Sequence, residues 1–107
     1  MTLTVVIEGN TYAINVPDEI LDEGESFFEK MDKDMDKGWM MSREWVEKPD
    51  QLQRCQIAAD RIADSINTEN ETLTYLMAGY ILTRMKNVKE VHIDTDGEMT
   101  ETQFITS

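Results

Sequence analysis

The stretch Leu3–Val16 reads LTVVIEGNTYAINV, and it decides the fold class more firmly than any other part of the chain. Apolar side chains recur at every second position on both sides of the central segment Glu8–Thr11. Period two is the spacing of a strand with one buried face, and a Gly-Asn pair between two such runs is typical of a hairpin turn. The sequence therefore predicts a β-hairpin over these residues.

Three helices are predicted to follow this hairpin. Apolar residues at helical spacing, with acids early and lysines late, indicate a helix over residues 18–37 with Gly24 in its interior. A second helix is expected to begin at Pro49-Asp50 and to continue to about residue 66, with small residues on its apolar seam that permit close packing. A third is expected over about 70–86, capped by Thr68 or by Asn70.

Residues 39–46 read WMMSREWV and show no clear period. They fit either a loop with a short helix after Ser42 or the start of a bent second helix. After residue 87, Val91 and Ile93 alternate with polar residues, and Asp96-Gly97 is a two-residue turn signal. A second hairpin is therefore predicted, with a polar last strand at an edge of the sheet.

The predicted elements give a fold class. Their order is ββ-ααα-ββ, and the fold is expected to be α+β: a two-layer arrangement in which the helices cover one face of an antiparallel four-stranded sheet. The chain shows no internal repeat, no low-complexity tract and no linker. Residues 1–107 are therefore expected to form a single domain, which is an ordinary domain size.

The charge balance excludes some classes of partner. The 107 residues contain 22 Asp and Glu against 10 Lys and Arg, for a net charge of −12. Ten of the twelve excess negative charges lie in residues 18–48 and 87–107. Direct nucleic-acid binding depends on cations that neutralise phosphates, and anionic lipid surfaces repel an acidic protein. We therefore expect no direct nucleic-acid partner and no membrane partner, and a basic protein partner is favoured.

The expected compartment is the cytoplasm. Cys55 is the single cysteine, so an intrachain disulfide is impossible, and this favours a reducing compartment. The first residues lack the basic and apolar regions of a signal peptide, and no apolar run approaches the ~20 residues that span a bilayer.

Three acids suggest a metal site as an alternative. Asp32, Asp34 and Asp36, followed by Gly38 and Glu44, resemble a calcium-binding loop of the EF-hand type. If Asp32 holds position one, however, the glycine falls at position seven and the glutamate at thirteen, one residue late in each case. On a continuous helix, residues two apart also do not face each other. The competing interpretation is that the three acids lie on the solvated side of a helix.

Catalytic signatures are missing from the sequence. It contains no phosphate-binding glycine loop, no dinucleotide fingerprint and no nucleophile elbow. Cys55 and His92 form the only nucleophile and base of the cysteine type, yet Cys55 lies on an apolar seam and His92 alternates with buried positions. No enzymatic activity and no cofactor are therefore expected.

Large apolar side chains exceed the obvious needs of one small sheet. Met, Trp and Phe are enriched in the cores of protein interfaces, although Met also fills gaps in ordinary cores. The candidate interface residues are Phe28, Trp39, Met40, Met41 and Trp45. The leading hypothesis is a non-enzymatic interaction or regulatory module that self-associates as a homodimer or binds a protein partner. The alternatives are a carboxylate-dependent binder of Ca²⁺ or Mg²⁺, and a nucleic-acid mimic that occupies a basic protein.

Overall fold

The computed structural model describes residues 1–107, and it begins with the predicted hairpin. Strand β1 (Thr2–Ile7) pairs antiparallel with β2 (Asn10–Asn15). Glu8 and Gly9 between them have φ angles of 51° and 81°. Two consecutive left-handed residues give the turn a twist that matches the twist of the strands, so the two-residue connection is unstrained at its glycine.

The first predicted helix is divided in two by Gly24. Helix α1 (Asp18–Glu23) ends where the Gly24 N–H donates to the Ile20 carbonyl at 2.9 Å, and α2 (Glu25–Asp36) begins at the next residue. The prediction of one helix over residues 18–37 is therefore wrong at this point. A Cβ at Gly24 would collide with the Ile20 carbonyl and lie 3.0 Å from Phe28 Cζ, so the break brings the chain close to a core ring.

The other two helices follow the sequence closely. Helix α3 (Gln51–Asn67) is capped by Asp50, whose carboxylate accepts the Gln53 N–H at 2.8 Å while the Gln53 side chain accepts the Asp50 N–H. Helix α4 (Glu71–Arg84) is capped by Asn70, which accepts the Leu73 N–H at 3.2 Å. Reciprocal capping of this kind fixes where α3 begins.

Residues 39–46 form a second small sheet, and both predictions for this segment are wrong. Strand β3 (Trp39–Met41) pairs antiparallel with β4 (Glu44–Val46). Three-residue strands are too short to display a period, and adjacent Met40 and Met41 hide the alternation. Gly38, directly before β3, and Ser42, in the turn between the two strands, have φ angles of 100° and 57°.

The last hairpin is present, but its turn differs from the prediction. Strand β5 (Val88–Ile93) pairs antiparallel with β6 (Gln103–Thr106). Residues 94–102 connect them and include a 3₁₀ helix, Met99–Glu101, so Asp96-Gly97 is not a two-residue hairpin turn. The Asp94 carboxylate accepts the N–H groups of Asp96 and Glu98 at 3.1 and 3.0 Å, and it folds the longer connection internally.

The main sheet has the strand order β2-β1-β5-β6, and its two central strands are parallel. The fold is α+β, but the expected all-antiparallel sheet and the order ββ-ααα-ββ are both wrong. The observed order is ββ-αα-ββ-αα-ββ. Each hairpin is antiparallel internally, whereas the direction of one hairpin relative to the other depends on where the helical segment returns the chain.

The helices cover one face of the main sheet. Leu3, Val5 and Val91 on that face are fully buried in a continuous cluster of 21 apolar residues, to which α3 and α4 contribute strongly. On the opposite face Thr11, Ala13 and His92 are exposed, and Val6, which lies between Thr11 and His92, is half-buried. Two further features of the surface are the free edge of β2 and the separate β3–β4 hairpin.

Candidate functional site

The β3–β4 hairpin carries four of the five residues that the sequence suggests as an interface. Met40 lies opposite Trp45 in the register, and the two residues are 54 % and 57 % exposed. Trp39 and Met41 alternate with Met40 and lie on the other side, where Met41 is buried and Trp39 packs against the core. Met40 and Trp45 together are named the hairpin face below.

Two contacts fix the conformation of this hairpin. Gly38 lies directly beneath the indole, because a Cβ at this position would lie 2.7 Å from Trp45 Cε2. At the turn, Ser42 Oγ accepts a hydrogen bond from the Met99 N–H at 2.9 Å, which joins the turn to the 3₁₀ helix. The hairpin face is therefore presented by a backbone that is supported at both ends.

Phe28 and Met41 are not part of that exposed surface. Phe28 is fully buried and makes an edge-to-face contact with Tyr80, with ring centroids 6.0 Å apart. A Cβ at Gly79 would lie 3.1 Å from Phe28 Cζ, so the ring fills the space between α2 and α4. Among the five candidate interface residues, Met40 and Trp45 are the ones that present most of their surface to solvent.

The three aspartates suggested as metal ligands do not converge. Asp32 and Asp36 lie one helical turn apart and both contact Arg54, at 3.3 and 2.5 Å. Asp34 points away from them, as the two-residue spacing on a helix requires. The structure contains no group of three or more His, Cys, Asp or Glu side chains placed to hold a metal ion.

Asp32 instead forms the centre of a polar cluster that joins three helices. Its Oδ1 accepts the Tyr80 hydroxyl at 2.5 Å and Arg54 Nη1 at 3.3 Å, and its Oδ2 accepts Nε and Nη2 of Arg84, each at 3.2 Å. Glu25 pairs with Arg84 at 2.9 Å. A cavity of about 410 Å³ adjoins these groups. The cluster is called the Asp32 cluster below.

The electrostatics of the Asp32 cluster favour a structural role. Arg54 and Arg84 are balanced by three carboxylates, so the cavity has no excess positive charge for an anion. Burial and the hydrogen bond to Asp32 raise the pKa of Tyr80 well above its usual range, so its hydroxyl stays protonated. The guanidinium of Arg84 also lies 5.3 Å from the Tyr80 ring centroid, within cation–π range. These contacts connect α2, α3 and α4.

Cys55 and His92 are not a catalytic pair. Cys55 is fully buried on α3, and burial, with a smaller contribution from Asp32, raises the pKa of its thiol to about 12. A thiol in this state is a poor nucleophile at neutral pH. His92 is exposed on the uncovered face of the sheet, 3.6 Å from Glu90, so the sheet itself lies between the two side chains.

Sequence reasoning missed the Asp32 cluster, although a signal for it exists. Asp32 and Asp36 are four residues apart, as are Tyr80 and Arg84, and that spacing places each pair on one helix face. Opposite charges at such positions on two helices suggest an interhelical ion pair. Arg54 completes the set from α3, and nothing in the sequence connects it to the other two helices.

No family model, curated protein or solved structure matches the chain.

None of its helices combines the length and the apolar character needed to cross a membrane.

Proposed function

We propose that this chain is a non-enzymatic interaction module that self-associates as a homodimer through the hairpin face. The observation that carries the proposal is the exposure of Met40 and Trp45, opposite each other in the register and each more than half accessible. Exposed Trp and Met side chains on a supported backbone are typical of the cores of protein interfaces. Because the chain has one cysteine, which is buried, we place the module in the cytoplasm.

The local charge supports a second copy of this chain as the occupant. The whole chain carries −12, but residues 39–46 contain one Arg and one Glu and are neutral. Arg43 lies in the turn and Glu44 begins β4, and neither forms an intrachain ion pair. A two-fold interface places the same surface patch of both copies against each other, so Arg43 of one copy can approach Glu44 of the other.

The exposed area of the hairpin face determines how tightly two copies are expected to associate. Two large half-exposed side chains offer about 200 Å² per copy, whereas a stable interface buries about 1,200–2,000 Å² in total. The surrounding surface must therefore supply most of the contact area, and Met40 and Trp45 supply its energetic centre. A dissociation constant in the micromolar range is expected.

Sedimentation velocity from about 1 to 200 µM, at two salt concentrations, tests the proposal. The wild-type chain is expected to shift from monomer to dimer over this range. Trp45→Ser is expected to raise the dissociation constant about 25-fold, since an interface hot spot contributes about 2 kcal/mol or more. Met40→Ser is expected to weaken association in the same direction.

Leu52→Ser is the matched control, because Leu52 is 50 % exposed and lies outside the hairpin. This variant is expected to associate like the wild type. A wild-type chain that stays monomeric at 200 µM refutes the homodimer. Equal effects of Leu52→Ser and Trp45→Ser refute the assignment to the hairpin face.

A further inference from the structure

A groove runs along the free edge of the main sheet. It has a volume of about 700 Å³ and lies between β2 and the corner where α3 meets α4. One wall consists of the five consecutive residues 11–15. Side chains of successive strand residues point to opposite faces, so a space bordered by all five must follow the edge of the strand. Five residues of strand extend over about 13 Å.

The backbone of this edge has unused hydrogen-bonding groups. Met1 and Val16 exchange two backbone hydrogen bonds, with N–O distances of 3.2 and 2.8 Å. Antiparallel pairs alternate between bonded and non-bonded residues, so the N–H and C=O groups of Thr11, Ala13 and Asn15 point away from β1. No other strand lies beyond β2. The edge therefore offers the donors and acceptors that an added strand requires.

The hydroxyl groups of the opposite wall are already engaged. Ser65 Oγ donates to the Ile62 carbonyl at 2.7 Å and lies 2.6 Å from Thr74 Oγ1. Thr74 Oγ1 also lies 3.1 Å from the Asn70 carbonyl. With these two hydroxyls engaged, the outward-facing backbone of Thr11, Ala13 and Asn15 supplies a regular row of free donors and acceptors, which recognises an extended chain rather than a compact small molecule.

The side chains that line the groove define the chemistry of its occupant. Tyr12, Ile66 and Tyr75 supply apolar surface. The charged groups are Glu69 and Glu71; neither forms an ion pair with Lys or Arg, and no basic side chain lines the groove. An extended segment with alternating apolar and basic side chains satisfies both features.

We propose that the β2 edge and this groove bind an extended, basic peptide segment of a partner protein by strand addition. The apolar side chains of the segment contact the tyrosines and Ile66, and its Lys or Arg side chains approach Glu69 and Glu71. This mode of recognition combines main-chain hydrogen bonds for affinity with side-chain contacts for specificity. A second copy of this chain fits less well, because β2 contains no basic residue and would bring a second pair of glutamates to the site. The site lies apart from the hairpin face and does not depend on self-association.

Titration of ¹⁵N-labelled protein with an eight-residue peptide of alternating valine and lysine tests the proposal. Amide shifts are expected to concentrate in residues 11–15 and 65–75, and the N–H groups of Thr11, Ala13 and Asn15 are expected to become protected from hydrogen exchange. Shifts that centre elsewhere overturn the proposal. Protection of these three groups in the absence of peptide, in step with dimer formation, assigns the edge to a second copy and also overturns it.

Two peptide variants separate strand addition from simple charge attraction. N-methylation of alternate amides removes the donors on one edge of the peptide. Methylation of the set of amides that faces β2 is expected to lower the affinity at least tenfold, whereas methylation of the alternate set, which faces away, is expected to have little effect. Equal affinities of the two methylated peptides overturn strand addition. Replacing every lysine in the peptide with glutamate is expected to abolish binding, and an acidic peptide that binds equally well overturns the charge assignment.

Two protein variants of equal net charge locate the basic contact. Glu69→Lys with Glu71→Lys is expected to lower the affinity for the basic peptide about tenfold at low salt, since two attractions become repulsions. Glu23→Lys with Glu29→Lys makes the same change of charge at exposed positions outside the groove. This control is expected to change affinity less than threefold. Equal losses in the two variants show non-specific attraction and overturn the proposed site; the peptide variants give their result whether or not these proteins fold.

Discussion

The Phe28 ring lies between Gly24 and Gly79. This packing predicts that Gly79→Ala destabilises the protein when residue 28 is phenylalanine and stabilises it when residue 28 is leucine. A Cβ at Gly79 would lie 3.1 Å from Phe28 Cζ, and a Cβ at Gly24 would lie 3.0 Å from the same atom. The ring edge is therefore blocked on both sides and cannot move away from a new methyl group. Alanine at position 79 must overpack this site.

The change in stability expected for Gly79→Ala is the sum of two opposing effects. Gly→Ala in a helix interior contributes about 1 kcal/mol of stability, while overpacking a close-packed core costs about 1–3 kcal/mol. Gly79→Ala is therefore expected to destabilise the native protein by about 1 kcal/mol. Leucine at position 28 lacks the Cζ atom. In the Phe28→Leu background the clash disappears, and Gly79→Ala is expected to stabilise by about 1 kcal/mol.

Urea denaturation of the four proteins of this double-mutant cycle measures the coupling. A domain of this size has about 5–15 kcal/mol of stability, so Phe28→Leu, at about 1–3 kcal/mol, leaves a folded reference. The expected coupling free energy is about 2 kcal/mol. Effects that add to within about 0.5 kcal/mol would show that the ring and Gly79 are not in contact, and the proposed packing of α2 against α4 would be incorrect.

Three smaller predictions concern the hairpin face and the titrating groups. Gly38→Ala is expected to lower the free energy of unfolding, measured by urea denaturation, by about 1–3 kcal/mol more than Gly97→Ala. Both glycines have positive φ, but only the new Cβ at position 38 meets a side chain, that of Trp45. Equal losses of stability in the two variants contradict this. Burial and a neighbouring carboxylate raise the pKa of Asp60, so its ionised form opposes folding. Asp60→Asn should raise the melting temperature at pH 7; the gain should shrink as the pH falls through the folded pKa and vanish below the unfolded pKa, whereas a gain at every pH points to another cause. Cys55, whose pKa is about 12, should resist a thiol reagent at pH 8 in the native protein and react at once in denaturant; rapid native reaction contradicts its burial.

Local signals in the sequence were sufficient for part of the fold. The period-two runs around Glu8-Gly9 predict β1 and β2, and capping residues near positions 50 and 70 place α3 and α4 within a few residues. Each of these signals depends on contacts between neighbours in the chain. The sequence allows Gly24 either as a helix-interior glycine or as the mark of a close helix crossing. It does not reveal the break, because the Phe28 ring that crowds Gly24 also packs against Gly79 of α4, from a distant part of the chain.

The pairing of β1 with β5 and the Asp32 cluster could not be predicted in the same way. Val5 lies beside Val91, and Asp32 contacts Tyr80 and Arg84, so both arrangements depend on how the helices return the chain. Hydrophobic period determines which face of an element is buried but not which element lies beside it. The exposure of Met40 and Trp45 likewise depends on the orientation of a hairpin that is too short to show a period.

The parallel pairing at the centre of the sheet also has a consequence for synthesis on the ribosome. Val5 and Val91 are neighbours in the sheet, yet 86 peptide bonds separate them along the chain. At about 5–20 residues per second, the partner strand is made roughly 4–17 s after β1. During that interval the edge of β1 that pairs with β5 stays open, and the apolar face of the hairpin is uncovered until α3 and α4 have been made. Nascent chains stalled before residue 88 should therefore expose an aggregation-prone hairpin, and release of the last strands completes the sheet.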